Sequence, residues 1–170
     1  MEELRHELRA GEYRPQPLLR VWIPKSNGGQ RPLGIPCIRD RVVEMAVLLV
    51  LGPIFEADLL RNQDGFRPGL DAKMAIRQAF WQVSDRGRSA VVDADLSDYF
   101  SSIPHGPLMR CASRRVADGT LLSVIKRWLT APVIERDQRA ARCTTEAKDR
   151  SRGTPQGSPM ASLKSIFLCA

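Results

Sequence analysis

Apolar residues change their spacing several times along this chain, and each change marks an element. Between residues 1 and 10, Leu4 and Leu8 stand four apart among charged neighbours, which predicts a short one-sided helix ended by Gly11. Leu18 to Pro24 and Arg31 to Pro36 read as two strands, and the Asn27-Gly28 pair between them is a hairpin signal. From Ile38, the positions Ile38, Val42, Val43, Met45, Ala46, Leu49 and Val50 predict a mostly buried helix, broken near Gly52-Pro53 and resumed to about Leu60. The turn-rich loop Asn62 to Gly69 leads into a helix from Leu70 or Asp71 to about Ser84, with Ala72, Ala75, Ile76, Ala79 and Phe80 as its inner face.

Val91 to Leu96 then reads as a strand of a different kind. Side chains alternate in an extended strand, so Val91, Asp93 and Asp95 share one face while Val92, Ala94 and Leu96 share the other. One face is core and the other acidic. A carboxylate at the end of a buried strand needs a positive partner, and a cation held between carboxylate and phosphate is a common one. The plainer alternative is a solvated strand end, with Asp98 capping the turn that follows.

Beyond Phe100 a connector, Ser101 to His105, precedes two helices at about 107–117 and 119–130, boundaries that Pro107 and Gly119 suit. His105, a lone histidine beside a proline, more often caps or packs than catalyses. Residues 131–152 read as a loop or irregular hairpin. After Arg152-Gly153-Thr154-Pro155-Gln156-Gly157-Ser158-Pro159 comes a last helix, Met160 to Ala170; two glycines around Pro-Gln permit a tight backbone path against a flat ligand.

Composition adds charge to this picture. The 170 residues are 43% hydrophobic and 26% charged, enough for one sizeable core. Lys and Arg number 26 against 19 Asp and Glu, a net charge of +7, which suits a polyanionic partner. Residues 20–41 carry a net of +4, and 136–152 a net of +3. The four cysteines form no Cys-x-x-Cys pair and the two histidines lie far apart, so neither a zinc site nor a disulfide framework is read, and a reducing cytoplasmic setting fits. The start, Met-Glu-Glu-Leu-Arg-His, has no apolar segment of the signal-peptide kind. The longest apolar run, Met45 to Phe55, is far short of the roughly 20 residues a membrane span needs.

Four stretches, taken in order, resemble reverse transcriptases of the group II intron type. Ile23-Pro24-Lys25-Ser26-Asn27-Gly28-Gly29-Gln30-Arg31-Pro32-Leu33-Gly34-Ile35-Pro36, with Asp40-Arg41 after it, resembles the family's first fingers block. Asp64-Gly65-Phe66-Arg67-Pro68-Gly69 resembles the second. Asp93-Ala94-Asp95-Leu96-Ser97-Asp98-Tyr99-Phe100 with Ile103-Pro104-His105 resembles the palm strand bearing the first catalytic aspartate. The stretch from Arg152 to Pro159 resembles the Pro-Gln-Gly block.

The resemblance implies an α+β fold of fingers and palm, helices packed on a small, mostly antiparallel sheet, with residues 1–90 fingers-like and 91–170 a partial, incomplete palm. It makes Asp95 the catalytic metal ligand and Phe100 the side chain under the incoming sugar, where it would exclude a ribose 2′-hydroxyl. The backbone of Leu96, Ser97, Asp98 and Tyr99 would cradle the triphosphate. Lys25 and Arg31 match the residues that clamp the triphosphate, and Gln156 the one that packs near nucleotide and template. Asp93 is left as a structural acid. The implied reaction is attack of a primer 3′-hydroxyl on a dNTP α-phosphate with Mg²⁺, on an RNA template and DNA primer; an intron-like RNA is a further partner.

Two departures go with the resemblance. The family's Tyr-x-Asp-Asp block, bearer of the other catalytic aspartates, does not occur in these 170 residues and is expected beyond them, as is the thumb. With Asp95 alone the two-metal site is incomplete, and the polypeptide by itself is expected to be inactive. After Pro159 the family's Pro-Leu-Leu-Ala-Asn type of helix is replaced by Met160-Ala161-Ser162-Leu163-Lys164-Ser165-Ile166. A non-catalytic, maturase-like RNA-binding module and a remnant of a mobile element are the alternative readings.

Overall fold

The protein is seen in a computed structural model that describes residues 2–26, 28–65, 67–137, 140–144, 151–154 and 156–159. In chain order the elements are α1 (Glu2–Arg9), β1 (Leu18–Pro24), β2 (Gln30–Ile35), α2 (Ile38–Glu56), α3 (Ala72–Ser84), α4 (Tyr99–Ser102), α5 (His105–Ser113), α6 (Gly119–Leu129), β3 (Val133–Asp137) and β4 (Ala140–Thr144). The fold is α+β. Its sheet has the order β2-β1-β3-β4, antiparallel at β1–β2 and β3–β4 and parallel at β1–β3.

The predicted hairpin forms with Leu19 opposite Ile35 and Pro24 opposite Gln30. β3 and β4 pair antiparallel, with Val133 opposite Thr144, and β3 lies parallel to β1, where the Leu18 amide donates to the Pro132 carbonyl at 2.8 Å. Across that junction the Trp22 indole N–H donates to Glu135 Oε1 at 2.7 Å, while the Arg20 guanidinium lies 5.8 Å from the Trp22 ring centre.

The core lies where α1, α2, α5 and α6 meet. Leu4, Val43, Leu51, Phe55, Leu108, Ala112, Val124, Ile125, Trp128 and Leu129 are all buried there. Each such large aliphatic or aromatic side chain stabilises the fold by roughly 1.5–3 kcal/mol over an exposed one. Through this core runs a polar seam. The Tyr13 hydroxyl donates to Asp40 Oδ1 at 2.7 Å, the Gln16 amide donates to Asp40 Oδ2 at 2.8 Å, and the Trp128 indole donates to the Tyr13 oxygen at 3.0 Å. Burial pushes the Tyr13 phenol well above the usual tyrosine range; the Trp128 hydrogen bond works against that shift, and the bond to Asp40 and its charge reinforce it.

Four expectations are corrected. Pro53 does not break α2, which runs without interruption from Ile38 to Glu56. Leu51 and Phe55 are anchored in the core on either side of it, and the carbonyl that Pro53 cannot engage belongs to the exposed Leu49, where water reaches it. Nor is α2 mostly buried: Ile38, Leu49, Val50 and Ile54 face outward. Of the supposed inner face of α3, only Ala75 is half-buried; Ala72, Ile76, Ala79 and Phe80 are exposed. Periodicity marks which side of a helix is apolar, and a neighbour must still come to cover it.

The fourth correction concerns Val91 to Leu96, which form no strand; Val92 is 92% and Leu96 69% exposed. A strand needs a neighbour for its backbone N–H and C=O groups, and among the described residues none pairs with this stretch. The helix expected over Met160–Ala170 lies outside the described residues. No helix among the described residues is long and apolar enough to cross a membrane.

Candidate functional site

Hairpin β1–β2 is closed at its tip by the Lys25 amide donating to Gly29 O at 2.7 Å and the Gly28 amide donating to Lys25 O at 3.1 Å. Register puts Arg31 directly opposite Ile23. Lys25 and Arg31 therefore line one open hollow of about 370 Å³, together with Ile23, Pro24 and Ser26. Two exposed cations over a shallow recess make an anion-binding surface: a compact ammonium beside a planar fork.

The other end of the hairpin carries the Pro-Gln-Gly turn. The Gly34 amide donates to the Gln156 carbonyl at 2.8 Å, so half-buried Gln156 sits against β2. From beneath, the buried Ser158 hydroxyl donates to Glu44 Oε2 of α2 at 2.8 Å.

Residues 99–105 are fastened to the strand of chain before that turn. The Thr154 amide donates to Phe100 O at 2.7 Å, Gly153 N–H to Ile103 O at 2.8 Å, and His105 N–H to Ser151 O at 2.8 Å. The His105 ring closes the contact, with Nε2 2.7 Å from Gly153 O. Only glycine suits position 153: its φ is +95°, and a Cβ there would stand 3.1 Å from the Ser101 carbonyl oxygen. Tyr99 and Phe100 meet edge to face at 5.2 Å, both partly buried against the core. Asp98 opens α4 from the left-handed region, φ 51° and ψ 37°, a conformation Asp tolerates, and its carbonyl rather than its side chain caps the turn by accepting from Ser101 and Ser102.

The sequence-predicted residues thus fall into two sets. Lys25 and Arg31 share a recess, and Gln156, Tyr99 and Phe100 belong to the network that ties the hairpin to the turn. Asp95, Leu96, Ser97 and Asp98 are exposed, the first two on irregular backbone. Among the described residues no group of three or more His, Cys, Asp or Glu side chains gathers into a metal site. The donors near Asp95 are nonetheless hard carboxylate oxygens, the kind that hold a divalent ion one or two at a time while phosphates complete its shell. They suit part of such a site. His105 packs rather than catalyses, as a lone histidine beside a proline suggests, with its ring on the Gly153 carbonyl. The role of Glu44 was not legible; an acid heading the apolar run of α2 is the one signal that could have pointed to it.

This arrangement of basic hairpin, aromatic turn and Pro-Gln-Gly turn coincides with residues 23–168, which match the family model for reverse transcriptase (RNA-dependent DNA polymerase). The chain belongs to the reverse transcriptase family. Among its relatives, Protein YkfC of Escherichia coli (strain K12) is 39% identical over 171 residues, covering 99% of this chain and 43% of that protein. The Uncharacterized 91 kDa protein in cob intron of Schizosaccharomyces pombe is 30% identical over 169 residues, 99% of this chain and 20% of the relative. Group II intron-encoded protein LtrA of Lactococcus lactis subsp. cremoris is 28% identical over 164 residues, 96% of this chain and 26% of LtrA. The type is that of group II introns, and the chain spans less than half the length of each of these relatives. Reverse transcriptases work with divalent metal ions on nucleic-acid template and primer.

Proposed function

We propose that this chain is the nucleotide- and template-binding part of an RNA-directed DNA polymerase of a group II intron-like element. Residues 1–90 serve as fingers and 91–170 as part of the palm. The observation that carries the reading is the link between β2 and Gln156: it joins a recess with two cations to a glycine-flanked turn on one scaffold. Lys25 and Arg31 bind the triphosphate oxygens of a dNTP, Gln156 packs beside the base pair, and Phe100 lies under the sugar. Asp95 offers one carboxylate to Mg²⁺; the ions, when bound, acidify the primer 3′-hydroxyl and neutralise the developing charge of the pyrophosphate. What the chain's own residues contribute is positioning and fixed positive charge.

The test is equilibrium binding of magnesium-dTTP to the chain in the presence of a poly(rA)·oligo(dT) primer-template. Replacing Lys25 and Arg31 by alanine together should weaken nucleotide binding about tenfold or more, since each charge-assisted hydrogen bond contributes roughly 1.5–3 kcal/mol. Unchanged affinity in the double variant would refute the clamp. In a polymerase completed with a Tyr-x-Asp-Asp strand and thumb, Asp95→Ala should abolish primer extension. The net charge of +7 also favours a second reading, RNA binding without synthesis; primer-template binding with no nucleotide binding would select it.

A further inference from the structure

Glu44 has no place in the nucleotide chemistry, yet it is a carboxyl group only 2% exposed on α2, followed by the apolar run Met45 to Leu51. Burying such a group is costly unless a donor meets it. A donor does: Ser158, itself buried, gives its hydroxyl proton to Glu44 Oε2 at 2.8 Å across 114 positions of sequence. Two residues earlier the same turn presents the Gln156 carbonyl to the Gly34 amide. Gly157 between them has φ +97°, and a Cβ there would stand 3.7 Å from Leu33 and from the Gly34 oxygen, so the turn lies flat on β2. Asp40, one helical turn before Glu44, holds the N-terminal segment through Tyr13 and Gln16 in the same manner.

We propose that Glu44 is a positioning residue for the Pro-Gln-Gly turn: through Ser158 it anchors the turn on α2 and so fixes Gln156 against the hairpin. Its consequence for nucleotide binding rests on the function proposed above, but the anchoring itself does not. A surface hydroxyl leaves such a turn free to rise from β2; a buried one bonded to a helix-borne carboxyl group holds it down on Leu33 and Gly34 of β2. The turn is then clamped from two sides, by the Gly34 amide in the hairpin and by Glu44 in the core.

Amide hydrogen exchange on the 170-residue chain reads this directly. In Ser158→Ala and in Glu44→Leu, the Gly34 amide should exchange about tenfold faster, the size expected for loss of one buried hydrogen bond. The Val116 amide, bonded to Ala112 O at the end of α5, should keep its rate. Glu44→Gln, whose side-chain oxygen still accepts from Ser158, should stay close to the parent chain. Unchanged Gly34 protection in both disruptive variants would overturn the proposal, and so would equal loss at Gly34 and Val116, which would make Glu44 a general support of the core. In parallel, the dissociation constant for magnesium-dTTP should rise several-fold in Ser158→Ala. A Gly34 response in a chain that binds no nucleotide at all would sink the nucleotide reading and leave the positioning role standing.

Discussion

Replacing Tyr13 by phenylalanine removes one oxygen from the centre of the core and takes a partner from two buried groups, while Asp40 Oδ2 keeps the Gln16 amide. Tyr13 is fully buried and Asp40 is 1% exposed. Asp40 Oδ1 loses its 2.7 Å donor, and the Trp128 indole N–H loses its 3.0 Å acceptor. Each buried polar group left unsatisfied costs roughly 1–3 kcal/mol, so the expected loss is about 3 kcal/mol, a large part of the ~5–15 kcal/mol that holds a typical domain together. The ring itself stays, edge to face with Trp128 at 6.4 Å, so apolar packing contributes little to the difference.

Urea unfolding followed by circular dichroism measures this, with an unchanged m-value as the check that both chains unfold the same way. The pH dependence gives a second reading of the same group. The phenol is raised in the folded state, so the folded chain holds its proton more firmly than the unfolded chain, whose tyrosine titrates near the ordinary value of about 10. Its contribution is complete below that pH and is lost as pH climbs beyond it. The parent chain should therefore show an alkaline decline that Tyr13→Phe lacks. A loss under about 1 kcal/mol in Tyr13→Phe, with identical alkaline behaviour, would refute the argument that the seam carries stability.

Other outcomes follow from single features. Gly153→Ala must strain a backbone at φ +95° and press on the Ser101 carbonyl; a loss of about 1–3 kcal/mol in thermal or urea unfolding is expected, and a neutral result would count against the close approach of the two segments. His105→Ala removes the 2.7 Å contact to Gly153 O, so the Gly153 and Thr154 amides should exchange faster while the Val116 amide just after α5 does not. Pro53→Ala restores an N–H within α2 and should raise stability by about 1–3 kcal/mol, measured by urea midpoint. RNA affinity should fall steeply between low and moderate salt, and less steeply once Lys25 and Arg31 are neutralised; equal salt slopes would place the phosphate contacts elsewhere.

Local chemistry made much of the fold legible. The hairpin turn, the Asp71 cap that accepts from the Met74 amide at 2.8 Å, and the Asp118 cap of α6 are all short-range effects, and the elements they begin or join stand where the pattern placed them. Where pattern failed, the deciding term was long-range. Pro53 sits in a helix because Leu51 and Phe55 on either side are fixed by a distant core. Phe80 is exposed because periodicity cannot supply a neighbour. The motif residues of the site were visible by type, Asp40 among them, but Glu44, Tyr13 and the buried partners of Asp40 were not, since a buried acid is recognised only by the donor that meets it.

The site itself shows why the motifs have to be spread along the chain. Phe100 and Thr154 meet through backbone, as do Ile103 and Gly153, and Gly34 and Gln156. Such bonds are indifferent to side-chain type except where a Cβ would intrude, as at Gly153. The side chains left over, Lys25, Arg31 and Gln156, are thereby free to be chosen for a ligand. Among the described residues Asp95 has no such backbone tie, and no strand pairs with its stretch. A carboxyl group that is to hold an ion against a phosphate must be fixed to within a fraction of an ångström, and an exposed segment without a ladder partner does not fix it. Among the described residues, the basic recess and the turn at Gln156 are thus organised by backbone contacts, and the acidic position is not. Nucleotide affinity should therefore be the first property the isolated chain displays, ahead of any dependence on Asp95.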